Sequence, residues 1–279
     1  MPAKATLPAR LLALSCVHAA VVSVAATMDV GLNLPARNGT SGTGAFLPGV
    51  YDFSYSVAEL AKVKQQHFTS VRLPVNVPTA HSPSAMQLMR SIVSTLGGRA
   101  VICMFGTGSL VTHGTGRIDS MTDSVAAWAS VHATFGNMPG VKYEIFNEPH
   151  GYAAGCNAPP CGTPDGYLKD MQQLITEAKL PPERCILDAL GWAQDAHGLV
   201  RLGWNGSIGY HFYPWWLPAN STRREFEERL RSDIAGISDR VYITEFGANL
   251  NKQNLDYEQP TTTDNDVNCL QGLDDGLTS

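Results

Sequence analysis

The sequence predicts an α/β fold, a (β/α)8 barrel of the TIM type. Short apolar runs rich in β-branched residues alternate with segments of helical period along nearly the whole chain. No G-x-G-x-x-G pattern or phosphate-binding loop follows the first apolar run, which disfavours an open nucleotide-binding sheet. The candidate catalytic side chains all follow apolar runs, and a TIM-type barrel carries its active site at the carboxyl ends of its strands.

Seven strands and six helices are predicted in alternation. We expect strands at residues 29–34, 70–75, 100–105, 141–147, 184–190, 207–213 and 241–246. We expect helices at residues 56–66, 84–97, 122–134, 165–179, 195–202 and 222–237, several of them opening on a Ser, Thr or Asp cap. The last segment resembles the beginning of a crossover helix. We therefore expect a barrel without its C-terminal eighth strand, a weakly packed final helix and a natural polypeptide that continues past Ser279.

The N-terminal residues have the layout of a secretory signal. Lys4 and Arg10 precede an apolar run from Leu11 to Ala26 that ends in small residues. A membrane anchor is the alternative, but it needs about 18 or more apolar residues, and this run is shorter and contains His18. We expect a signal peptide at residues 1–26, a single catalytic barrel at 27–279, and a secreted, extracellular protein.

Glycosylation sequons and cysteines agree with export. Three Asn-x-Ser/Thr triplets begin at Asn38, Asn205 and Asn220. Cys156 and Cys161 flank a four-residue loop and are a candidate disulfide in an oxidising compartment. The remaining cysteines show no zinc-ligand spacing, and Cys103 and Cys185 lie in apolar runs typical of buried thiols. The sequence predicts no metal and no cofactor.

The composition narrows the class of partner. The 279 residues are 44% hydrophobic and 16% charged, which is typical of an ordinary globular domain. The net charge of −5 comes without a Lys/Arg block or basic stripe, so neither nucleic acid nor, once the signal peptide is removed, a membrane is an expected partner. We expect a monomer that binds a neutral or weakly charged substrate.

Two glutamates occupy matching positions. Glu148 ends the fourth predicted strand and precedes Pro149, which cannot continue a ladder, and Glu245 ends the seventh. Two carboxylates at two strand ends are what the cleavage of a glycosidic bond requires, one to donate a proton and one to attack or to activate water. We expect Glu144, earlier in the fourth strand, to face outward or to pair with Lys142.

Three further side chains fit this chemistry. His211 and Tyr213 share one face of the sixth strand because of their i, i+2 spacing. Adjacent strands lie about 4.8 Å apart, so a group on strand six can reach Glu245. Arg72 is a charge inside an apolar strand, and because a buried guanidinium is costly without a carboxylate partner, it requires an inward-facing acid.

These segments together resemble glycoside hydrolase family 5, the cellulase-like members of a large clan of retaining barrel enzymes. The matching pieces occur in family order: Gly31–Asn33, Arg72, Asn147–Pro149, His211–Tyr213 and Thr244–Gly247. The resemblance implies an endoglucanase-like enzyme that cleaves a β-glucan or related polysaccharide. It also implies that Glu148 is the acid/base and Glu245 the nucleophile, with carboxyl groups about 5–5.5 Å apart.

The resemblance assigns the neighbouring residues as well. Asn147 would donate to the sugar 2-hydroxyl, Arg72 and Tyr213 would keep Glu245 ionised, and His211 would lie near Glu148. The chain departs from the family pattern in two places: the histidine usual just after strand three has no clear counterpart, and the eighth strand with its tryptophan platform is missing.

Aromatic side chains near predicted strand ends are candidates for sugar binding. Trp192 follows strand five, and Trp215 and Trp216 follow strand six. Flat indoles at a barrel mouth can stack on sugar rings, although core or rim packing is the competing interpretation. Trp128 has a helical position typical of the core, and His150 is a candidate for lining the cleft.

Two other classes of function agree with part of the sequence. A catalytically inactive carbohydrate-binding barrel would be consistent with a missing last strand, but it has no need for both Glu148 and Glu245. A metal-dependent hydrolase would need clustered His and Asp ligands at strand ends, and the sequence shows no ligand spacing.

Overall fold

The computed structural model describes residues 30–38, 48–105, 115–153, 156, 159–249, 256–259 and 262–278. The predicted signal peptide lies outside these residues. Within them, none of the helices combines the length and apolar character that crossing a membrane requires. Two compact units are present. The larger contains the described residues up to His211 together with Gly236–Glu245; the smaller contains Phe212–Ala235 and the described residues from Phe246 onward.

Seven strands form one sheet in chain order, as the sequence predicted. They are Gly31–Asn33 (β1), Ser70–Val75 (β2), Ala100–Met104 (β3), Val141–Glu144 (β4), Cys185–Asp188 (β5), Ser207–Phe212 (β6) and Val241–Phe246 (β7). The registered pairs from β1–β2 to β5–β6 are all parallel. The side-chain amide of Asn33 donates to the carbonyl of Thr244 at 3.3 Å, which brings β1 to β7. The TIM-type barrel is confirmed, and the described residues contain no eighth strand.

Nine α-helices are described, and the six that the sequence predicted are all present. They are Val57–Gln65 (α1), Val77–Ala80 (α2), Pro83–Thr95 (α3), Met121–Phe135 (α4), Pro164–Glu177 (α5), Leu190–Ala193 (α6), Ala196–Arg201 (α7), Arg223–Ile234 (α8) and Asn265–Thr278 (α9). Each predicted helix opens on a side-chain cap, supplied by Ser56, Ser82, Ser120, Thr163, Asp195 and Thr222. The sequence did not predict α2, which is too short to show helical periodicity, or α6, in which Gly191 and Trp192 have non-helical backbone angles.

The larger unit has a core of buried apolar side chains. Trp128, on α4, is fully buried as predicted; its indole N–H donates to the carbonyl of Ile145 at 3.2 Å, and its ring contacts Tyr143 edge-on. Cys103 and Cys185 are buried free thiols, again as predicted. Cys156 and Cys161 form a disulfide with a Cα–Cα distance of 5.6 Å.

The final helix packs more tightly than expected. In α9 of the smaller unit, Val267, Cys269 and Leu273 are all at most 4% exposed. Gly272 lies so close to α8 that a side chain there would collide with the backbone of Arg223, and Arg223 also pairs with Asp275. The prediction of weak packing is wrong, because α9 buries its apolar face against α8 of the same unit.

Candidate active site

Arg72 lies at the centre of the candidate active site and is 7% exposed. Its Nε and Nη2 donate to the two carboxylate oxygens of Glu144 at 2.6 and 2.8 Å. Its Nη1 donates to Oε2 of Glu245 at 2.9 Å, and Nη2 also donates to Oδ1 of Asn147 at 2.7 Å. The fold thus supplies two inward-facing acids for this guanidinium, which explains a charge inside an apolar strand.

Glu144 does not face outward. Its carboxylate is fully buried and bound to Arg72, so the expectation that it faces solvent or pairs with Lys142 is wrong. The ammonium group of Lys142 instead lies 5.0 Å from the centre of the Tyr242 ring. The sequence could not show that a partner on the non-adjacent strand β2 would hold Glu144 inside.

Glu148 lies in an irregular turn, because β4 ends earlier than predicted. The N–H groups of Ile145 and Asn147 still bond to neighbouring strands, but the backbone of Glu148 is left-handed, with φ at 49°. Its N–H donates to Oδ2 of Asp188 at 2.9 Å, and its carbonyl accepts from the N–H of His150 at 2.7 Å. A non-glycine residue keeps a positive φ only where such contacts fix it.

His211, fully buried on β6, connects the acids of the site. Its Nδ1 lies 3.0 Å from Oε1 of Glu148. Its Nε2 lies 3.7–3.9 Å from carboxylate oxygens of Asp188, Glu144 and Glu245. The imidazole is therefore surrounded by carboxyl groups on both sides.

Glu148 and Glu245 are brought together as the sequence predicted. Each offers a carboxylate oxygen, and these oxygens and a ring nitrogen of His211 all lie within 4.8 Å of one another. Both side chains keep some access to solvent, 14% for Glu148 and 22% for Glu245. Carboxyl groups about 5–5.5 Å apart are typical of retaining glycosidases, and wider separations of inverting ones.

Asp188 is a site residue that the sequence analysis missed. It is the last residue of β5, it is fully buried, and it contacts the backbone of Glu148. A signal was present, because Asp188 closes the apolar run Cys185–Leu187 in the way that Glu245 closes the end of β7.

Burial and neighbouring charges shift the pKa values of the buried groups in different directions. Burial alone would raise the pKa of Glu144, but Arg72 holds it well below its usual value. Burial and the adjacent Glu144 raise the pKa of Asp188 well above its usual value. Burial alone would lower the pKa of His211, but Glu245 and Glu144 raise it far above the usual value. The surroundings therefore favour the charged form of Glu144, the protonated form of Asp188 and the protonated form of His211.

Clustered acids also raise the question of a metal. The sequence showed no ligand spacing, yet the fold gathers Glu144, Asp188 and His211 within 4.8 Å of one another, in addition to the trio of Glu148, His211 and Glu245. Arg72 already bonds both carboxylate oxygens of Glu144 and one of Glu245, and Oδ2 of Asp188 accepts the N–H of Glu148. The donor set thus fits a hydrogen-bonded acid cluster.

The predicted tryptophans fall into two groups. Trp192, in α6, stacks on His150 with ring centres 3.8 Å apart, and Nδ1 of His150 lies 2.9 Å from the carbonyl of Glu148. Trp192 therefore adjoins the turn that holds Glu148. His113 lies too far beyond β3 in the sequence to be assigned as the family histidine, and it is outside the described residues.

The second group belongs to the smaller unit. Tyr213 stacks on Trp215 with ring centres 4.3 Å apart and contacts Trp216 edge-on at 5.8 Å. Trp215 is 67% exposed. The contact predicted between Tyr213 and Glu245 remains a prediction.

The family model for cellulase, glycosyl hydrolase family 5, matches residues 55–275. The chain belongs to glycosyl hydrolase family 5. It is accordingly a glycoside hydrolase, and the matched segment contains Arg72, Asn147, Glu148, His211 and Glu245. No curated protein matches the chain significantly.

Solved structures resemble this family 5 hydrolase in fold. A β-mannanase from Thermomonospora fusca is 18% identical and has a TM-score of 0.50; the match covers 81% of this chain and 78% of that one. The catalytic domain of an endoglucanase from Thermobifida fusca, in complex with cellotetraose, is 16% identical with a TM-score of 0.48; the match covers 76% of this chain and 73% of that one. At these identities the similarity concerns the fold alone.

Proposed function

We propose that this family 5 enzyme is a secreted, retaining, endoglucanase-like hydrolase of a β-glucan or related polysaccharide, in which Glu148 is the acid/base and Glu245 the nucleophile. The observation that carries the proposal is that one carboxylate oxygen of Glu148 lies within 4.8 Å of one of Glu245, with Glu245 bonded to Arg72 and Glu148 beside His211. This close approach supports double displacement, because the two carboxyl groups of retaining enzymes lie closer together than those of inverting ones.

The first half of the reaction forms a bond between Glu245 and the sugar. A carboxylate oxygen of Glu245 attacks the anomeric carbon while the bond to the leaving-group oxygen breaks, and Glu148 donates its proton to that oxygen. In the second half, Glu148 takes a proton from a water molecule, the water oxygen attacks the same carbon, and Glu245 leaves as a carboxylate. Two inversions retain the anomeric configuration.

The neighbours fit supporting roles in this scheme. Arg72 bonds directly to Glu245 and so favours the charged form that a nucleophile needs. Asn147 is oriented by accepting from Arg72 through Oδ1, and its amide nitrogen is the donor we propose for the sugar 2-hydroxyl. His211 orients Glu148. We further propose Trp192, Trp215 and Trp216 as stacking surfaces for sugar rings and Tyr213 as a contact of the nucleophile.

Secretion rests on the leader, the sequons and the disulfide. The Cys156–Cys161 bridge is the kind of bond that persists in oxidising compartments. Asn38, Asn205 and Asn220 are all exposed, but the amide nitrogen of Asn38, the atom that would carry the glycan, donates to the carbonyl of Val50 at 3.1 Å. We propose that the mature protein is a monomeric glycoprotein glycosylated mainly at Asn205 and Asn220. When the whole chain is expressed in eukaryotic cells, we expect the protein in the culture medium. Its mass should fall after treatment with an N-glycosidase.

A polymer panel combined with matched variants tests the activity. The wild type is incubated with cellulose derivatives, mannan, xyloglucan, β-1,3-glucan and β-1,6-glucan, and the anomer first released is followed by NMR. Glu148→Ala and Glu245→Ala are compared with Glu183→Ala, which removes an exposed glutamate before β5. We expect the first two to lose at least about 1,000-fold in turnover and the control to match the wild type. Normal activity of Glu245→Ala, or an inverted product, would refute the mechanism.

The same experiment addresses the catalytically inactive binding barrel. That alternative predicts that polymer binds without any release of reducing sugar and that no glutamate variant changes this. The pairing of Glu148 with Glu245 does not favour it, because two carboxyl groups at this distance serve chemistry rather than binding.

A further inference from the structure

Asp188 contacts Glu148 at its backbone and faces its side-chain partner. Oδ2 of Asp188 accepts the backbone N–H of Glu148 at 2.9 Å. The same oxygen lies 3.7 Å from Nε2 of His211, whose other ring nitrogen is 3.0 Å from Oε1 of Glu148. One buried carboxyl group thus bears on both ends of the residue assigned as acid/base.

The backbone of Glu148 needs such a support. Its φ of 49° lies in the left-handed region, which a residue with a Cβ adopts only at a cost in free energy. The direction of its carboxylate follows from this turn. A contact that fixes the turn therefore also sets where Oε1 of Glu148 points.

Neighbouring elements are shaped around Asp188. The hydroxyl of Tyr167, on α5, donates to the carbonyl of Asp188 at 2.9 Å. Gly209 is its register partner on β6, and a Cβ at that position would collide with Oδ1 of Asp188. Both the helix and the adjacent strand thus leave room for this carboxyl and hold its main chain.

We propose that Asp188 is a positioning residue that holds Glu148 in the orientation for proton transfer to the leaving-group oxygen. The inference rests on the proposed function, since it needs Glu148 to be the acid/base. Asp188 itself does not touch the reacting atoms.

The shape of the Asp188 side chain decides which variants are informative. Its carboxyl group lies beside Glu144 and His211, and burial together with Glu144 raises its pKa well above the usual value. Asparagine keeps this shape, and its Oδ1 can still accept the N–H of Glu148. Alanine removes the contact. Asp188→Asn should therefore be the conservative variant and Asp188→Ala the disruptive one.

Two leaving groups separate positioning of the acid from a general structural role. Phenyl β-cellobioside needs proton donation to its leaving oxygen, whereas 2,4-dinitrophenyl β-cellobioside leaves without it. If the polymer panel selects another sugar, the aryl glycosides of that sugar are used. With the full-length protein, we expect Asp188→Ala to lose about 100-fold in kcat/KM on the phenyl substrate, and less than about 5-fold on the dinitrophenyl substrate. Asp188→Asn should stay within about 10-fold of the wild type on both, with an unchanged pH profile.

Equal losses of Asp188→Ala on both substrates, or no loss on either, would overturn the proposal. Should that variant fail to fold, Tyr167→Phe serves instead, because it weakens the hold on Asp188 without removing its carboxyl. We expect Tyr167→Phe to lose about 3- to 10-fold in kcat/KM on the phenyl substrate only. An equal loss on both substrates, or no loss on either, would again contradict the proposal.

Glu148→Ala in the same assay distinguishes the two hypotheses. As the acid/base variant it should hydrolyse the dinitrophenyl substrate and be accelerated by azide. If it does not, the proposed function fails. If it does while Asp188→Ala shows no leaving-group dependence, the role of Asp188 fails and the proposed function stands.

Discussion

Arg72 forms a buried ion pair with Glu144 through two hydrogen bonds, with nitrogen–oxygen distances of 2.6 and 2.8 Å, and the same guanidinium also bonds to Glu245. Both oxygens of Glu144 are used. The guanidinium is thereby fixed in one plane, and its remaining nitrogen is directed at Glu245. The orientation of the proposed nucleophile thus depends on an acid that takes no part in the reaction.

Loss of the Glu144 charge should make the protein less stable and change its response to acid. Arg72 lowers the folded-state pKa of Glu144, so its contribution to stability is present above the unfolded value of about 4.3 and is lost as the pH falls through the folded value. We expect Glu144→Gln to lower the free energy of unfolding by about 3–5 kcal/mol at pH 7. Denaturant titrations from pH 7 to pH 3 should show this difference shrinking below about pH 4.3. A difference that is constant over the range would contradict the account.

The charge on His211 should produce the opposite dependence on pH. Its folded-state pKa is raised by the surrounding carboxylates, so the stability it contributes is complete below the unfolded value of about 6.5 and is lost as the pH rises through the folded value. The loss of stability of His211→Asn relative to the wild type should therefore be largest in mildly acidic solution and should become smaller at alkaline pH. Thermal unfolding at several pH values measures this. A deficit that grows with pH would show that His211 is neutral.

Lysine should not replace Arg72. A single ammonium cannot bind both oxygens of Glu144 and also reach Glu245, although it preserves the charge. We expect Arg72→Lys to lose about 100-fold in kcat, while KM for soluble polymer changes little. Arg99→Lys, in the loop before β3, is the matched control. Full activity of Arg72→Lys would mean that only the charge matters.

The exposed indole of Trp215 should matter for polymers only. Since it is 67% exposed and stacked on Tyr213, it offers a flat surface to a sugar ring at little structural cost. Trp215→Ala should raise KM for the preferred polysaccharide by about 10-fold, the size of one stacking contact, and leave aryl glycosides unaffected. An unchanged KM would show that Trp215 does not bind the polysaccharide.

The sequence predicted the features that depend on local pattern. Strand β2 was recognisable from its apolar run, and helix α1 from its helical period and the serine at which it opens. In the structure this serine, Ser56, forms a capping box with Glu59. Glu148 and Glu245 could be predicted as a pair because strand ends of a parallel barrel meet at one edge.

The features that the sequence did not predict depend on contacts between distant segments. Glu144 faces inward because of Arg72, which lies 72 residues earlier. Asp188 contacts Glu148 in the fold although the two residues are 40 positions apart in the sequence, so this contact could not be predicted from local pattern. The tight packing of α9 likewise depends on Gly272 meeting α8. Periodicity in a single sequence contains no information on which partners meet.

Trapping of the glycosyl-enzyme tests the central claim most directly. The wild type is incubated with 2,4-dinitrophenyl 2-deoxy-2-fluoro-β-cellobioside, or the fluorinated glycoside of the preferred sugar, and then digested and analysed by mass spectrometry. The account predicts one covalent sugar on the peptide containing Thr244–Gly247, attached to Glu245, and no label in Glu245→Ala. Label on another residue, or hydrolysis of the natural polymer with inversion and no label at all, would contradict it.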